Sequence, residues 1–326
     1  MFEYELLEKE FAEYIGVKDV VSVNTGTASL HLAFEGKHYP KGSEVIVPEF
    51  TMVATAWGPQ YAGLQVVPVD CKKDMNIDAS LIESHITDKT VAILITHIYG
   101  RICDMQPIID LCEKYGLDLF EDCAEVHGAV YHDGPKKGCK VGSLGIGCFS
   151  FYRNKIVSGE EGGCVTVPDD SKYATHIRYL KNMSFGPEHD YIHRHQGFNY
   201  RMSDAQAKYI RQSLRSIDSV LSHRKTVESW YDQYLRKEFI RPERDVVWIY
   251  DINHPNPHAL VRYLNEKGIA ARRCFYPMSH QPSVNCEESV DLTALKLYNS
   301  TCYLPVTSSM FHDEVKSICD IVNSYE

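Results

Sequence analysis

A lysine after a strongly apolar run is the first residue of this sequence whose position suits covalent chemistry. Lys155 closes the segment FSFYRNK, in which a β-rich stretch passes into a turn, and Ser150 in the same segment is placed to contact a phosphate. A poorly solvated lysine is easily deprotonated, and its neutral amine can form an imine with a carbonyl compound. Taken alone, Lys155 fits the usual description of a solvated surface lysine better.

Polar residues at two other predicted strand ends offer complementary chemistry. The run DVVSV is followed by NTGTAS, where a glycine turn and a helix start would present free N–H groups to a phosphate. The run LDLFED ends in Glu121 and Asp122, and a carboxylate there could hold a protonated pyridine nitrogen. An ordinary capped turn and a surface ion pair are the alternatives for these two signals.

The three signals become informative when they are considered together. Each follows a different predicted strand, and ligands of open α/β sheets bind beyond the carboxyl ends of the strands. One cofactor would require all three groups, namely a phosphate cradle, an acid for a ring nitrogen and a lysine that forms an imine. We therefore predict that the three segments meet in one cofactor site.

The elements that must position these residues alternate along the first half of the chain. Helical segments separate seven β-rich runs, which predicts βα units and a mostly parallel sheet. One such helix spans residues 105–115 and ends at Gly116. Long helices follow from Ser203 to about residue 236, with Ser203 or Asp204 as the predicted N-cap. The seven runs are DVVSV, EVIVP, LQVVPVD, VAILITH, LDLFED, GCFSF and CVTV.

The last part of the chain alternates again and predicts a second, smaller unit. We expect strands at VVWIYDI and IAARRCFYP, a helix at PHALVRYLNEKG that ends at Gly268, and a final helix near residues 312–325. A chain of 326 residues exceeds the usual size of a single hydrophobic core. We place a large domain at residues 1–215 and a small C-terminal domain at residues 216–326.

The composition excludes several classes of protein. With 44% hydrophobic and 24% charged residues, the chain is typical of globular proteins rather than of disordered or membrane-embedded ones. The formal net charge of −10 argues against a surface that binds nucleic acid. The 11 cysteines include no CxxC pair, which indicates reduced thiols. We expect a cytoplasmic protein with no nucleic-acid or membrane partner.

Ten motifs along nearly the whole chain resemble one enzyme family. They are similar to motifs of the DegT/DnrJ/EryC1/StrS sugar aminotransferases, which are pyridoxal-phosphate enzymes of fold type I. The resemblance implies an α/β fold, with a mostly parallel seven-stranded sheet between helices in the large domain and a small C-terminal α/β domain. It also implies a homodimer with shared active sites. The motifs are NTGTASL, VIVPEFTMVAT, PVD, NID, HIYG, EDCAEVHG, GSLGIGCFSFYRNK, EEGG, GFNYRMSDAQA and YLP.

The resemblance assigns roles to individual residues around pyridoxal 5'-phosphate. Lys155 would bind the cofactor as an imine and later move protons, and Asp122 would pair with the ring nitrogen. Met52 stands where relatives commonly place an aromatic ring over the cofactor, and Glu125 where many have glutamine near the ring hydroxyl. Asn199 would reach the phosphate of the neighbouring subunit. The remaining phosphate contacts would be Gly26, Thr27, Ala28 and Ser150.

The resemblance also implies a reaction. The motif GFNYRM and the glutamate at 125 resemble the perosamine-synthase branch, and a dehydratase branch has histidine in place of Lys155. The implied reaction moves the amino group of L-glutamate to C4 of a nucleotide-linked 4-keto-6-deoxy sugar, with pyridoxamine 5'-phosphate as intermediate. Amination at C3, amination of a cyclitol ketone and a non-catalytic regulatory role stay open, as does the choice among GDP, dTDP and UDP.

Substrate contacts are the least specific part of the sequence pattern. Arg201 and Arg272 are candidates by resemblance, although Arg272 also fits a solvated arginine on an edge strand. His189, His193 and His195 lie close together, but no cysteine pair or carboxylate stands at ligand spacing beside them. We therefore predict no metal site, and we expect a loop around His193 that contacts the nucleotide or the partner subunit.

Overall fold

A seven-stranded sheet forms the centre of the larger part of the molecule. The computed structural model describes residues 1–186, 188, 191–290 and 292–325. The strand order is β1-β7-β6-β5-β4-β2-β3, and all neighbouring pairs are parallel except those that β7 makes with β1 and β6. The strands are β1 Asp19–Val23, β2 Glu44–Pro48, β3 Gln65–Val69, β4 Thr90–Thr96, β5 Asp118–Asp122, β6 Ile146–Ser150 and β7 Gly163–Val167. The predicted fold class is confirmed, and each of the seven β-rich runs overlaps one strand.

Helices cover both faces of this sheet. Successive side chains of a strand point to opposite faces, so Ile46 joins one hydrophobic core whereas Val45 and Val47 join another. The helices of the chain, including those of the C-terminal part, are α1 Glu3–Ile15, α2 Gly26–Glu35, α3 Ala54–Tyr61, α4 Ala79–Ile82, α5 Met105–Tyr115, α6 Ser171–Lys181, α7 Asp204–Arg215, α8 Ile217–Tyr234, α9 Pro257–Glu266, α10 Thr293–Ser300 and α11 His312–Ser324. The sheet is thus buried on both sides, and only its strand ends remain for ligands.

The predicted helix ends are confirmed. Gly116 follows α5 in the left-handed conformation, with a φ of 66°. Ser203 caps α7 through a reciprocal pair of hydrogen bonds with Gln206. None of the described helices is long and apolar enough to cross a membrane. All cysteines are free thiols and, apart from Cys139 and Cys286, are buried.

A three-stranded antiparallel sheet organises the C-terminal part. Its order is β8-β10-β9, with β8 at Tyr250–Asn253, β9 at Arg272–Arg273 and β10 at Thr301–Leu304. The two strands predicted here were too long. The first half of VVWIYDI lies against the large domain instead of pairing in the sheet, and IAARRCFYP pairs with β10 only through Arg272 and Arg273.

The packing of α7 and α8 bears on the predicted domain boundary, and Ile217 at the start of α8 still belongs to a core of the large sheet. Residues of α7, such as Ile210 and Leu214, belong to a core of the large sheet, whereas Val227 and Tyr231 of α8 belong to a core with the small sheet. We propose the boundary between residues 215 and 216, where α7 ends.

A junction at Gly100 fastens the two parts together. The Gly100 carbonyl accepts hydrogen bonds from the N–H groups of Asp245, at 3.0 Å, and Val246, at 3.1 Å. A Cβ at position 100 would lie 1.9 Å from the Val246 carbonyl oxygen, so only glycine fits. Next to it, Arg101 donates to the buried carboxylate of Asp251 at 3.1 Å. This junction lies one residue after Tyr99, whose N–H donates to a residue that lines the cavity described below.

Candidate active site

One cavity of about 400 Å³ lies beyond the carboxyl ends of the central strands, between the large sheet and the small domain. Asp122 ends β5 and Ser150 ends β6, so parallel neighbours bring both to the same edge. The cavity contains most of the predicted site, and the predicted residues that line it are Gly26, Thr27, Met52, Asp122, Glu125, Ser150, Lys155 and Arg272. The three separate sequence signals therefore meet in one place.

The start of α2 forms one wall of the cavity. Thr25 caps this helix, because its hydroxyl accepts from the Ala28 N–H at 3.1 Å. Ala28 is thus engaged in the cap and does not line the cavity, unlike Gly26 and Thr27, which precede it. The first N–H groups of a helix have no intrahelical acceptor and carry the positive end of the helix dipole. The predicted phosphate cradle therefore has its anion-binding geometry at Gly26 and Thr27.

The cradle depends on a missing side chain at Gly26. A Cβ built there would lie 2.6 Å from the Ser150 Cβ and 3.0 Å from its hydroxyl oxygen. Any larger residue would fill the space between the helix start and Ser150. The structure thus keeps a small polar gap, lined by N–H groups and one hydroxyl, at the position predicted for a phosphate.

Asp122 lies at the bottom of the cavity in a polar setting that the sequence analysis missed. One carboxylate oxygen accepts from the Thr55 hydroxyl at 2.9 Å and the other from the Ala124 N–H at 3.1 Å. Burial raises the pKa of Asp122, although these two hydrogen bonds oppose the rise. Thr55 belongs to the quoted motif VIVPEFTMVAT, so the motif was a signal for it, but no role followed from its residue type. A cationic partner would keep Asp122 ionised.

Glu125 is buried in the same cavity and accepts from the Tyr99 N–H at 2.7 Å. Burial raises the pKa of Glu125 to about 8, against the attraction of Lys155. Its carboxyl group is thus largely protonated at neutral pH and can donate a hydrogen bond. Tyr99 reaches it in a left-handed conformation with a φ of 52°, which is uncommon for a residue with a side chain.

Lys155 faces these acids from the turn after β6. Burial lowers the pKa of Lys155, and the carboxylates of Glu125 and Asp122 partly oppose this effect. Its Nζ lies 3.7 Å from the centre of the Trp248 ring. The sequence analysis assigned Trp248 only to a strand, and no local pattern links it to a lysine 93 positions earlier. The lowered pKa favours the neutral, nucleophilic amine that was predicted.

Besides Ala28, three predicted residues lie outside this cavity. Asn199 is exposed, and its carbonyl accepts from the Asn24 side chain at 3.5 Å. Arg201 is exposed and donates to Asn182 at 3.2 Å, and His193 lies 2.7 Å from the Met183 carbonyl. A single chain does not bring them to its own site, and His189 lies outside the described residues.

A buried group of metal-binding residue types lies behind the cavity at His97, Glu121 and Cys123. Glu121 is already satisfied by protein donors, because it pairs with His97 at 3.2 Å, the Tyr131 hydroxyl at 2.6 Å and the Gly145 N–H at 2.8 Å. The group therefore serves as a hydrogen-bonded support for the end of β5 rather than as an open ligand set.

A poorly solvated lysine, a buried acid and a helix start around one cavity define a class of enzymes that bind a phosphorylated carbonyl cofactor covalently. The comparisons with known proteins agree with this class. The chain belongs to the DegT/DnrJ/EryC1/StrS aminotransferase family, whose model matches residues 3–323. The resemblance seen in the motifs is thus confirmed, and the chain is a sugar aminotransferase by family.

Individual relatives and solved structures are similar over most of the chain. GDP-perosamine synthase of Caulobacter vibrioides is 37% identical over 290 residues, which cover 84% of this chain and 76% of that protein. dTDP-3-amino-3,6-dideoxy-alpha-D-galactopyranose transaminase of Aneurinibacillus thermoaerophilus is 30% identical, and the match covers 99% of this chain and 90% of that protein. The structure of S. venezuelae DesV in complex with a ketimine intermediate has a TM-score of 0.90 at 28% identity. The match covers 98% of this chain and 88% of that chain.

Proposed function

We propose that this chain transfers the amino group of L-glutamate to C4 of a nucleotide-linked 4-keto-6-deoxy sugar, with pyridoxal 5'-phosphate as cofactor. The observation that carries the proposal is the meeting of Lys155, Asp122 and the start of α2 in one cavity. Similarity to a perosamine synthase favours C4 of the sugar. A cytoplasmic location, expected from the sequence, is part of the proposal.

The residues around the cavity fit the proposed cofactor. Gly26, Thr27 and Ser150 would hold its phosphate in the gap that a Cβ at position 26 would fill. Asp122 would face the ring nitrogen, and the protonated Glu125 would donate to the ring hydroxyl. The remaining predicted contact is Met52, a half-exposed thioether in the cavity wall. When bound, pyridoxal phosphate supplies an aldehyde for capturing amines and a cationic ring that acts as an electron sink.

Lys155 would carry out the proton transfers. Because the pKa of Lys155 is lowered, more of the amine is in the neutral form, which can accept a proton. The neutral Nζ accepts the α-proton of glutamate, and the same Nζ later delivers a proton to C4 of the sugar. Asp122 stays anionic beside the positive ring and holds its charge through both half-reactions. 2-Oxoglutarate leaves before the keto sugar enters, which makes the cycle ping-pong.

Substrate contacts would come from two chains. Arg272 lines the cavity and is exposed, so it would face the anionic nucleotide. Asn199, Arg201 and His193 lie outside the cavity of their own chain, which supports the proposal that they serve the neighbouring subunit in a homodimer with shared sites. Single-chain geometry gives them no role otherwise.

The experiment that tests the proposal is an absorption titration of the purified protein with pyridoxal phosphate. A visible band should form, disappear with glutamate and return with only one of the GDP-, dTDP- or UDP-linked 4-keto-6-deoxy sugars. Lys155→Ala is the control and should form no band and give no turnover. A wild-type protein without a band, or with one that ignores glutamate, would refute the proposal.

Amination at C3 is the second candidate, because a relative at 30% identity is named as a 3-amino sugar transaminase. Product analysis by nuclear magnetic resonance decides between the carbons. A 3-amino product from a 3-keto sugar, with no turnover of 4-keto sugars, would replace the C4 proposal while leaving the roles of Lys155 and Asp122 unchanged.

A further inference from the structure

The ring of Trp248 lies against the Lys155 amine. It comes from the segment before β8, in the C-terminal part, and its side chain is buried. The Nζ of Lys155 lies 3.7 Å from the centre of its ring. Among the residues that the structure describes, no carboxylate forms an ion pair with Lys155, and Asp122 and Glu125 attract it only from a distance.

The indole ring is held on more than one side. Its N–H donates to the backbone carbonyl of Asn154 at 2.9 Å, and Asn154 directly precedes Lys155. The Tyr99 ring packs against it, with 6.0 Å between the ring centres. The edge of the ring is therefore fastened to the turn that carries Lys155, while its face contacts the amine at the end of the same lysine. This geometry fixes Nζ relative to its own backbone.

The face of an indole ring attracts a cation but not a neutral amine. Lys155 must exist in both forms, because it captures the cofactor as an amine and is an ammonium after it accepts a proton. In a cavity whose burial lowers the pKa of this lysine, the ammonium form needs a compensating partner. The largely protonated Glu125 supplies only part of a negative charge at neutral pH.

We propose that Trp248 is a positioning residue whose indole face holds the Lys155 amine at the cavity and stabilises its ammonium form. This inference rests on the proposed function of Lys155. Trp248, a residue of the small domain, would thus contribute to proton transfers that otherwise involve residues of the large domain. The contact forms whenever Lys155 is released from the cofactor.

Several titratable groups also face this lysine and must be separated from the effect of the ring. Asp122 and Glu125 lie on or after β5, and Glu161 and Arg272 line the same cavity. Burial lowers the pKa of His127 to about 3, with a smaller contribution from Lys155, so this imidazole stays neutral at physiological pH. The indole carries no charge at any relevant pH, so replacing it leaves the number of titrating groups unchanged.

The test uses the full chain in its pyridoxamine phosphate form, in which Lys155 is free. Competitive acetylation over a range of pH, read by mass spectrometry on the peptide containing Lys155, gives the titration midpoint of this amine. Trp248→Leu should lower the midpoint by about one pH unit, and Trp248→Phe by less, because the phenyl ring retains a weaker π face. Phe275→Leu is the matched control, since Phe275 lines the cavity and packs on Tyr99.

An unchanged or raised midpoint in Trp248→Leu would overturn the inference, as would an equal shift in Phe275→Leu. If Trp248→Leu fails to fold, Trp248→Met takes its place with the same expected direction. The two proposals fail differently. Loss of the glutamate-sensitive band in the wild type would refute the proposed function, whereas a normal band with coinciding midpoints in all variants would refute only the role of Trp248.

Discussion

The most direct test of the electrostatics concerns Glu125, whose pKa burial raises to about 8 from an ordinary value near 4.5. A carboxyl group with a raised pKa in the folded state binds its proton more tightly there than in the unfolded chain. Its contribution to stability is therefore complete below pH 4.5 and is lost as the pH rises through 8. The two pKa values differ by an amount equivalent to about 5 kcal/mol.

Glu125→Gln removes this titration while keeping an oxygen that can accept from the Tyr99 N–H. The free energy of unfolding of the variant should rise relative to that of the wild type by about 3 kcal/mol between pH 5 and pH 8, because only the wild type must release a buried proton. The assay is urea unfolding of both cofactor-free chains at several pH values in that range.

Glu161→Gln is the matched control, because Glu161 lines the same cavity but is exposed to solvent. A rise of the same size with Glu161→Gln would show that the effect is not specific to Glu125. Parallel curves for Glu125→Gln and the wild type would refute the reasoning, since they would mean that Glu125 titrates in the folded protein as it does in the unfolded chain.

Three further predictions test the cofactor site and the shared active site. Asp122→Asn should lower kcat by about 100-fold or more, because a neutral amide does not stabilise a cationic ring. Steady-state kinetics with saturating cofactor would measure this loss, and an unchanged kcat would contradict the role of the acid. Gly26→Ala should weaken cofactor binding by about tenfold or more through overpacking, whereas Gly186→Ala, where a Cβ meets nothing within 4 Å, should leave the measured Kd unchanged. The last prediction mixes and reassembles two inactive variants, Lys155→Ala and Asn199→Ala. The mixture should regain about a quarter of wild-type activity, because half of the dimers then contain one intact shared site. No recovery would place Asn199 in the site of its own chain.

The large sheet was predictable because its strands are short apolar runs separated by clear helix signals. The seven runs are apolar enough to be buried, and one helix follows each of β1, β2, β3 and β4, as expected for βα units. No described helix separates β5, β6 and β7, and β7 is antiparallel to both its neighbours, which the alternation did not predict. The small domain was less predictable. The residues before β8 are as apolar as a strand, yet the backbone of Val246 donates to Gly100 across the domain junction, and this long-range partner leaves no trace in the local pattern.

The candidate site was predictable as far as its residues carry motifs. Lys155, Asp122 and Gly26 stand at strand and helix ends, and the topology of a parallel sheet brings such ends together. The contacts of Thr55 with Asp122 and of Trp248 with Lys155 depend on side-chain packing between distant segments. The direction of each pKa shift likewise depends on burial, which a single sequence does not reveal at the level of one carboxyl group.

The Gly100 junction connects the turn that binds Glu125 with the segment that carries Trp248. Tyr99, one residue before Gly100, fixes Glu125 through its N–H, and Trp248 follows two residues after Val246, which Gly100 binds. A rotation of the small domain about this point would therefore move the indole face of Trp248 relative to Lys155, whereas Tyr99 and Glu125 would stay with the large domain. The approach of the indole face to Lys155 thus depends on the position of the small domain, through a single carbonyl group that belongs to neither substrate nor cofactor.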